Sequence, residues 1–293
     1  MTDNIGYAVC VYGRKLRFFS GLMQGEPVLS ANSEDMHVFQ TASAAEVMRL
    51  LVEERTGMHA EAIEVMEGGG GLMRVLVACE ESQEVCKAFR RRGHEAYSCD
   101  VQEPSGGHPE WHILGDAIAA LDGGTVTTMD GATHAVGKWD LLIAHPPCTY
   151  LTNASAVRMR AHGEIVADRY AKAMDAREFF MAFLSADVQK IAVENPTPLK
   201  IVDLPPYTQA IQPYEYGHPY SKRTCLWLKG LPKLRPTKIL DEHEPYVNGG
   251  CKDAHGNYRR FQGRKERDPK TRAKTFPGIA EAMAEQWGGD QNG

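Results

Sequence analysis

Apolar residues follow two alternating rhythms along most of this chain. Short continuous runs predict buried strands: Arg74-Val75-Leu76-Val77-Ala78, Ala96-Tyr97-Ser98-Cys99-Asp100, Trp139-Asp140-Leu141-Leu142-Ile143-Ala144 and Lys190-Ile191-Ala192-Val193. Between them lie segments of helical spacing: SQEVCKAFRRR, stopped by Gly93, then a short helix after Asp116, then residues 166–184. This alternation predicts an α/β fold built on an open, mostly parallel, doubly wound sheet. Ligands of such sheets bind beyond the carboxyl ends of the strands.

The first 66 residues follow a different pattern. YAVCVYGRKLRFF reads as a hairpin around a Gly-Arg-Lys turn. TASAAEVMRLLVEER places Ala44, Val47, Met48, Leu51 and Val52 at helical spacing, and AIEVM supplies a last strand. A small ββαβ accessory module over 1–66 is expected, followed by a glycine-rich linker at 67–72. The main domain is then expected over 73–228 and 271–290, interrupted by a small region at 229–270.

Composition narrows the class. The chain has 293 residues, 43% hydrophobic and 24% charged, which is ordinary for a globular protein and excludes wholesale disorder. No run approaches eighteen apolar residues, and MTDNIGYAVCVYGRK lacks the basic-then-apolar pattern of a signal peptide, so no membrane partner and a cytoplasmic location are expected. Seven cysteines form no CxxC pair and are odd in number, which argues for reduced thiols and against a metal site. The net charge of −5 conceals an asymmetry. Residues 220–274 hold fifteen Lys/Arg against six Asp/Glu, a net of +9, so the rest carries −14. Such a segment suits a polyanion, or simply a solvated basic loop.

Several strand ends carry chemistry. Asp100 stands where an acid can accept from ribose hydroxyls, or cap a helix. Asp116 can accept from an adenine amino group, or act as an N-cap. The first turn, Ala78-Cys79-Glu80-Glu81-Ser82, lacks the glycines of a pyrophosphate cradle, and its acids would repel one. A cationic adenosine ligand such as S-adenosylmethionine fits better. Cys148 follows two stiff prolines and is a candidate nucleophile, or a buried inert thiol. Glu194, before Asn195-Pro196, is a candidate proton donor if desolvation raises its pKa, or a loop acid bonded to backbone.

Residues 74–290 resemble the DNA cytosine-5 methyltransferases in their divergent phage and prophage form. The resemblance is carried by VLVA and its turn, Asp100, Gly115-Asp116, Pro147-Cys148, AREFFMAFL leading to Val193-Glu194-Asn195, Ser221-Lys222-Arg223-Thr224, and Thr275-Phe276-Pro277-Gly278-Ile279-Ala280. It implies a Rossmann-like sheet, S-adenosylmethionine as cofactor and DNA as partner, with the target base flipped out. Cys148 then resembles the thiolate that adds to C6 of cytosine, Glu194 the acid at N3, and Arg223 the residue holding the base and loop. Ala78, Cys79, Glu80, Asp100, Asp116 and Pro146 fall at the cofactor, and Pro147 and Asn195 at the base. Arg259, Arg260, Arg264 and Lys265, interleaved with Tyr258 and Phe261, fall in the basic target-recognition region.

The chain departs from that family at two places. Cys79-Glu80-Glu81 replaces the usual glycine-rich turn. His145-Pro146-Pro147-Cys148-Thr149 stands for Phe-Pro-Cys-Gln and half-resembles the Asp/Asn/Ser-Pro-Pro-aromatic loop of amino-methyltransferases. Amino transfer, a free nucleotide or RNA as substrate, and a non-catalytic nucleic-acid-binding role therefore remain as alternatives. If the basic segment holds nucleic acid, affinity should fall with salt at a log–log slope of about −0.9 per phosphate neutralised. Reversing the charges of Arg259, Arg260, Arg264 and Lys265 together should remove most of that slope; filter binding over a salt series measures it.

Overall fold

The computed structural model describes residues 4–12, 16–23, 26–30, 39, 42–67, 72–247, 249–252, 258–261 and 269–289. The chain divides into two compact units, residues 1–72 with 289–293, and residues 73–288.

In the first unit, β1 (Asn4–Tyr12), β2 (Leu16–Met23), β3 (Glu26–Ser30) and β4 (His59–Glu67) form a sheet in the order β3-β2-β1-β4, all pairs antiparallel. Helix α1 (Ala42–Thr56) comes before β4 in the chain, and Val9, Val11, Phe19, Ala45, Val52 and Ala60 form the core. The pattern of residues predicted two strands before the helix, and there are three. The extra one, β3, is five residues long, contains Pro27 and lies on the sheet edge, where a missing N–H is tolerated.

The second unit begins with β5 (Arg74–Ala78), α2 (Glu84–Arg91), β6 (Glu95–Asp100) and β7 (His112–Leu114). A hairpin of β8 (Gly124–Thr127) and β9 (Thr133–Gly137) precedes β10 (Leu141–Ala144). Next come α3 (Ala156–Met159), the short pair β11 (Arg160–Ala161) and β12 (Glu164–Ile165), α4 (Ala167–Leu184), β13 (Lys190–Pro196) and β14 (Gln209–Ile211). The last part holds β15 (Tyr220–Ser221), β16 (Thr224–Lys229), β17 (Glu244–Pro245), β18 (Gly249–Lys252), β19 (Tyr258–Phe261), α5 (Pro269–Ala273) and α6 (Pro277–Trp287).

Seven of these strands make one sheet in the order β14-β16-β13-β10-β5-β6-β7. From β13 to β7 all neighbours are parallel, while β16 runs antiparallel to both β13 and β14. The link from β14 to β16, residues 212–223, carries a 3₁₀ turn at Pro213–Glu215 and the two-residue β15 but no helix, and it returns the chain antiparallel; a parallel return usually takes a helical crossover. The helix expected after Asp116 is a 3₁₀ turn at Ala119–Asp122 leading into the β8–β9 hairpin.

Both faces of the sheet are buried, which is why its central strands read as unbroken apolar runs. On one face Val75, Val77, Leu141, Ile143 and Ala192 meet α2 and α6 through Val85, Phe89, Ile279, Met283 and Trp287. On the other, Leu76, Leu142, Ile191, Val193 and Trp227 meet α4 through Ala173, Phe180 and Phe183. Gly278, in the first turn of α6, donates its N–H to His218 Nε2 at 2.9 Å, and a Cβ there would collide with the Tyr216 carbonyl.

Glu80 sets the start of α2. Its carboxylate accepts from the N–H groups of Val85 (2.7 Å) and Cys86 (3.1 Å), and the residue is 4% exposed. These are first-turn amides that no residue of the helix can satisfy. Glu80→Ala should strand them inside the protein and cost about 1–3 kcal/mol, whereas Glu80→Gln keeps an acceptor and should lose less. Thermal melting of the two variants checks this; an unchanged midpoint for Glu80→Ala would remove the capping role.

Candidate functional site

The register of three central strands builds the site. Ala144 of β10 pairs with Ala78 of β5 on one side and with Val193 of β13 on the other. The segments that follow, Cys79-Glu80-Glu81, His145-Pro146-Pro147-Cys148 and Glu194-Asn195, therefore leave this line side by side. Strand order reverses between β5 and β10, the crevice where open α/β sheets take their ligands. The His145 N–H donates to the Ala78 carbonyl at 2.9 Å, and the Glu80 N–H to the Cys99 carbonyl at 3.2 Å, fixing the first turn between its neighbours.

Pro146 is buried and Pro147 exposed. The Cys148 carbonyl accepts from the N–H groups of Leu151 and Thr152, both at 3.1 Å. The loop after β10 is then tied to the loop after β13: Asn153 N–H donates to the Thr197 carbonyl (2.8 Å) and Leu199 N–H to the Leu151 carbonyl (2.7 Å). A cleft of about 440 Å³ opens between these loops, lined by Asn153, Met159, Arg160, Thr197, Leu199 and Lys200 among others.

Glu194 differs from expectation in two respects. It sits inside β13, paired across to Leu226, rather than at a turn beyond the strand. Its Oε2 lies 2.9 Å from His145 Nδ1, with the two side chains only 19% and 13% exposed. Burial by itself would raise the carboxyl pKa, yet the hydrogen bond and charge of His145, helped by Lys222, hold it below the ordinary value. The raised pKa expected for a resting proton donor is thus corrected: Glu194 rests ionised. Burial works against a charged imidazole too, but Glu194 and Glu80 together raise the His145 pKa. The Cys148 thiol is pushed up by burial and by the Glu194 charge, with Lys222 and Arg272 opposing, so it rests protonated rather than as a stabilised thiolate.

Of the two cations that oppose this rise, Lys222 also donates its ammonium to the Arg272 carbonyl at 2.8 Å. The predicted Arg223 lies next to it in sequence but bonds the Tyr207 hydroxyl at 2.9 Å, over that ring. Asn195 is 1% exposed; its Nδ2 donates to the Pro196 carbonyl (2.6 Å), while Oδ1 is buried without a partner.

A second cluster gathers at the ends of β5, β6 and β7. Burial and the nearby carboxylates of Asp100 and Asp116 raise the Cys79 thiol pKa, which brings those three predicted residues together. Asp100 Oδ1 accepts from the Gln102 N–H and Asp116 Oδ1 from the Ile118 N–H, each at 2.9 Å. Beside the acids, Val101 and Leu114 are 76% and 46% exposed, an unusual placement for large apolar side chains. In the first turn, Glu80 is occupied as a helix cap, and Glu81 carries the buried carboxylate oxygen that lacks a partner.

Sequence reasoning did not single out His145, Lys222, Val101 or Leu114, and it used Glu81 only as one of the two acids of the first turn. A signal existed for His145: one residue past Ala144, it is placed opposite Glu194, one residue past Val193. Of the basic recognition residues, Arg259 and Arg260 lie on β19, paired with Cys251 and Gly250, while Arg264 and Lys265 lie outside the described residues. Among the described residues no helix is long and apolar enough to cross a membrane, and no His/Cys/Asp/Glu group could hold a metal.

No family model and no curated protein sequence matches the chain. Among solved structures it is similar to a prophage-encoded E. coli protein assigned as a DNA modification methyltransferase (12% identity, TM-score 0.34, covering 60% of this chain and 53% of that one). It is also similar to a methyltransferase of Entamoeba histolytica (14% identity, TM-score 0.30, 57% of each chain). The chain thus spans little more than half the length of either, and at these scores neither likeness carries weight for the chemistry.

The charge arrangement has a direct consequence for thiol chemistry. Glu194→Gln removes the carboxylate that raises the Cys148 pKa, so Cys148 should alkylate faster at a fixed pH near 8, its pH–rate curve moving to lower pH. Lys222→Met should move it the other way. Site-resolved mass spectrometry of iodoacetamide labelling measures both; no shift in either variant would show that these charges do not reach the sulfur.

Proposed function

We propose that this protein transfers a methyl group from S-adenosylmethionine to C5 of cytosine in DNA. The observation that carries the reading is the delivery of Cys148 and Glu194 from adjacent parallel strands into one shielded electrostatic field. A nucleophile and an acid–base group so placed match a pyrimidine whose C6 must be attacked while N3 is protonated. Because C5 and C6 are stacked inside a duplex, the base must be extruded to reach them.

The residues around the first turn fit the cofactor. Val101 and Leu114 offer apolar surface for an adenine, Asp100 and Asp116 offer acceptors for ribose hydroxyls and an amino group, and the orphaned oxygen of Glu81 suits an ammonium. A sulfonium beside this many acids is favoured, whereas a pyrophosphate would be repelled. When bound, the cofactor supplies an electrophilic methyl group.

The protein's own part is the activation of the ring. The Cys148 thiol gives its proton to the Glu194 carboxylate as sulfur bonds to C6, and Glu194 passes that proton to N3. The ring then carries nucleophilic character at C5. After methylation, loss of the C5 proton to water restores the 5,6 double bond and expels Cys148 as a thiolate, which takes back the N3 proton by way of Glu194. Residues 229–270 are proposed to hold the DNA, Arg223 to steady the loop beside the base, and residues 1–66 to form an accessory module.

Amino transfer is the second reading, and the resting ionised state of Glu194 favours it: a carboxylate can accept from an exocyclic amine, next to the His-Pro-Pro loop. Incubation with tritium-labelled S-adenosylmethionine and duplex DNA, RNA or dCMP, followed by nucleoside analysis, separates the readings. 5-Methylcytosine is expected, and Cys148→Ser should abolish it while leaving cofactor affinity unchanged. N4-methylcytosine or N6-methyladenine, formed as well by Cys148→Ser as by the wild type, would replace C5 transfer with amino transfer.

A further inference from the structure

His145 stands between two buried acids. Its Nδ1 is 2.9 Å from Glu194 Oε2, and its Nε2 is buried with no partner. The charged groups that act on it are Glu194 on β13, Glu80 in the turn after β5, and Lys222 just before β16; Cys148, three residues on in its own loop, also feels Glu194 and Lys222. The backbone of His145 is pinned to β5 through the Ala78 carbonyl, so the ring has a fixed base. Among the described residues Glu194 Oε1 has no hydrogen-bond partner.

We propose that His145 is a positioning residue for the acid–base group of C5 transfer: it grips Glu194 through Oε2 and leaves Oε1 for Cys148 and the pyrimidine. The inference rests on the C5-transfer reading above. A buried carboxyl without a cation tends to take up a proton and hold it. An acid already protonated cannot accept the thiol proton, so the relay would stall before sulfur reaches C6. With Nδ1–H held on Oε2, Glu194 starts as a carboxylate. The S–H bond then breaks as S–C6 forms, the proton crosses by Oε1 to N3, and the imidazole keeps its own proton throughout. The same grip fixes the carboxylate rotamer, which a lone Glu side chain would lose among several.

The test uses the full chain with His145→Leu and His145→Asn. The amide of Asn reaches the Nδ1 position and can donate to Oε2 without carrying a charge. In single-turnover formation of 5-methylcytosine, His145→Leu should slow the step by about 10²-fold, and His145→Asn should recover at least a tenfold part of that loss. The wild-type rate should fall on the alkaline side as His145, whose pKa is raised, gives up its proton; His145→Asn should lack that limb. Independently of activity, NMR of histidine-labelled protein should show His145 titrating above the ordinary value of about 6.5, and Glu194→Gln should bring it down.

Leu and Asn variants equally slow, with losses that track thermal melting, would reduce His145 to a structural residue. A Leu variant with the wild-type rate and pH profile would overturn the proposal outright. If the wild type makes no 5-methylcytosine, the C5 reading itself falls. The NMR titration then still decides the His145–Glu194 contact, which an unmoved His145 in Glu194→Gln would refute.

Discussion

Everything in the second unit depends on the parallel alignment of β5, β10 and β13. Four-residue β10 is buried on both faces and hydrogen-bonded on both edges, so it cannot slip without turning Leu142 and Ile143 to the wrong layers. That constraint is made by hydrophobic burial, which is non-directional, yet its result is directional. It fixes which residue of each strand is last, and therefore which side chains stand together at the carboxyl end. Cys79 and His145 are the first residues beyond the paired Ala78 and Ala144, and Glu194, still inside β13, follows Val193 on the same line.

The site is electrostatically overdetermined on the acidic side. Glu80, Glu81, Glu194, Asp100 and Asp116 all gather around the ends of the strands, and the cations acting on Cys148 are Lys222 and Arg272. Buried charges of one sign are costly unless paired or hydrogen-bonded. The acids are held in different ways: Glu80 by first-turn amides of α2, although burial still raises its pKa, and Glu194 by an imidazole, while Asp100 and the exposed Asp116 accept from local backbone amides. Glu81 is the exception, with a buried oxygen left over. The balance matters for Cys148, whose thiol is raised by one neighbour and lowered by two others.

Much of the fold could be read from the residues because continuous apolar runs and helical spacing are strong local signals. The strand from Arg74 to Ala78 and helix α4 fall where the spacing placed them. The reversed strand β16 could not be read, because TCLWLK is as apolar as a parallel strand and direction is set by the connection rather than by the residues of the strand. Edge strand β3 was hidden by its proline. In the site, residue types and strand ends were legible, while the partner of each group was not. Nothing local distinguishes Glu80, which caps a helix, from Glu81, which does not, nor Lys222, facing the thiol, from Arg223, bonded to Tyr207.

The resting state of the site also explains why its chemistry would need the substrate present. A protonated thiol beside an ionised carboxylate is the low-energy arrangement in a shielded crevice, since a thiolate there would be buried and would face the Glu194 charge, which Lys222 and Arg272 offset only in part. Proton transfer from sulfur to carboxylate is uphill unless something consumes the proton. On the proposed C5-transfer reading a pyrimidine ring does so, because attack at C6 makes N3 more basic as the S–C bond forms. On that reading the reactivity of Cys148 is tied to a ring placed between sulfur and acid. On that reading the Glu194 carboxylate, which helps raise the thiol pKa at rest, becomes the proton acceptor when the base is in place.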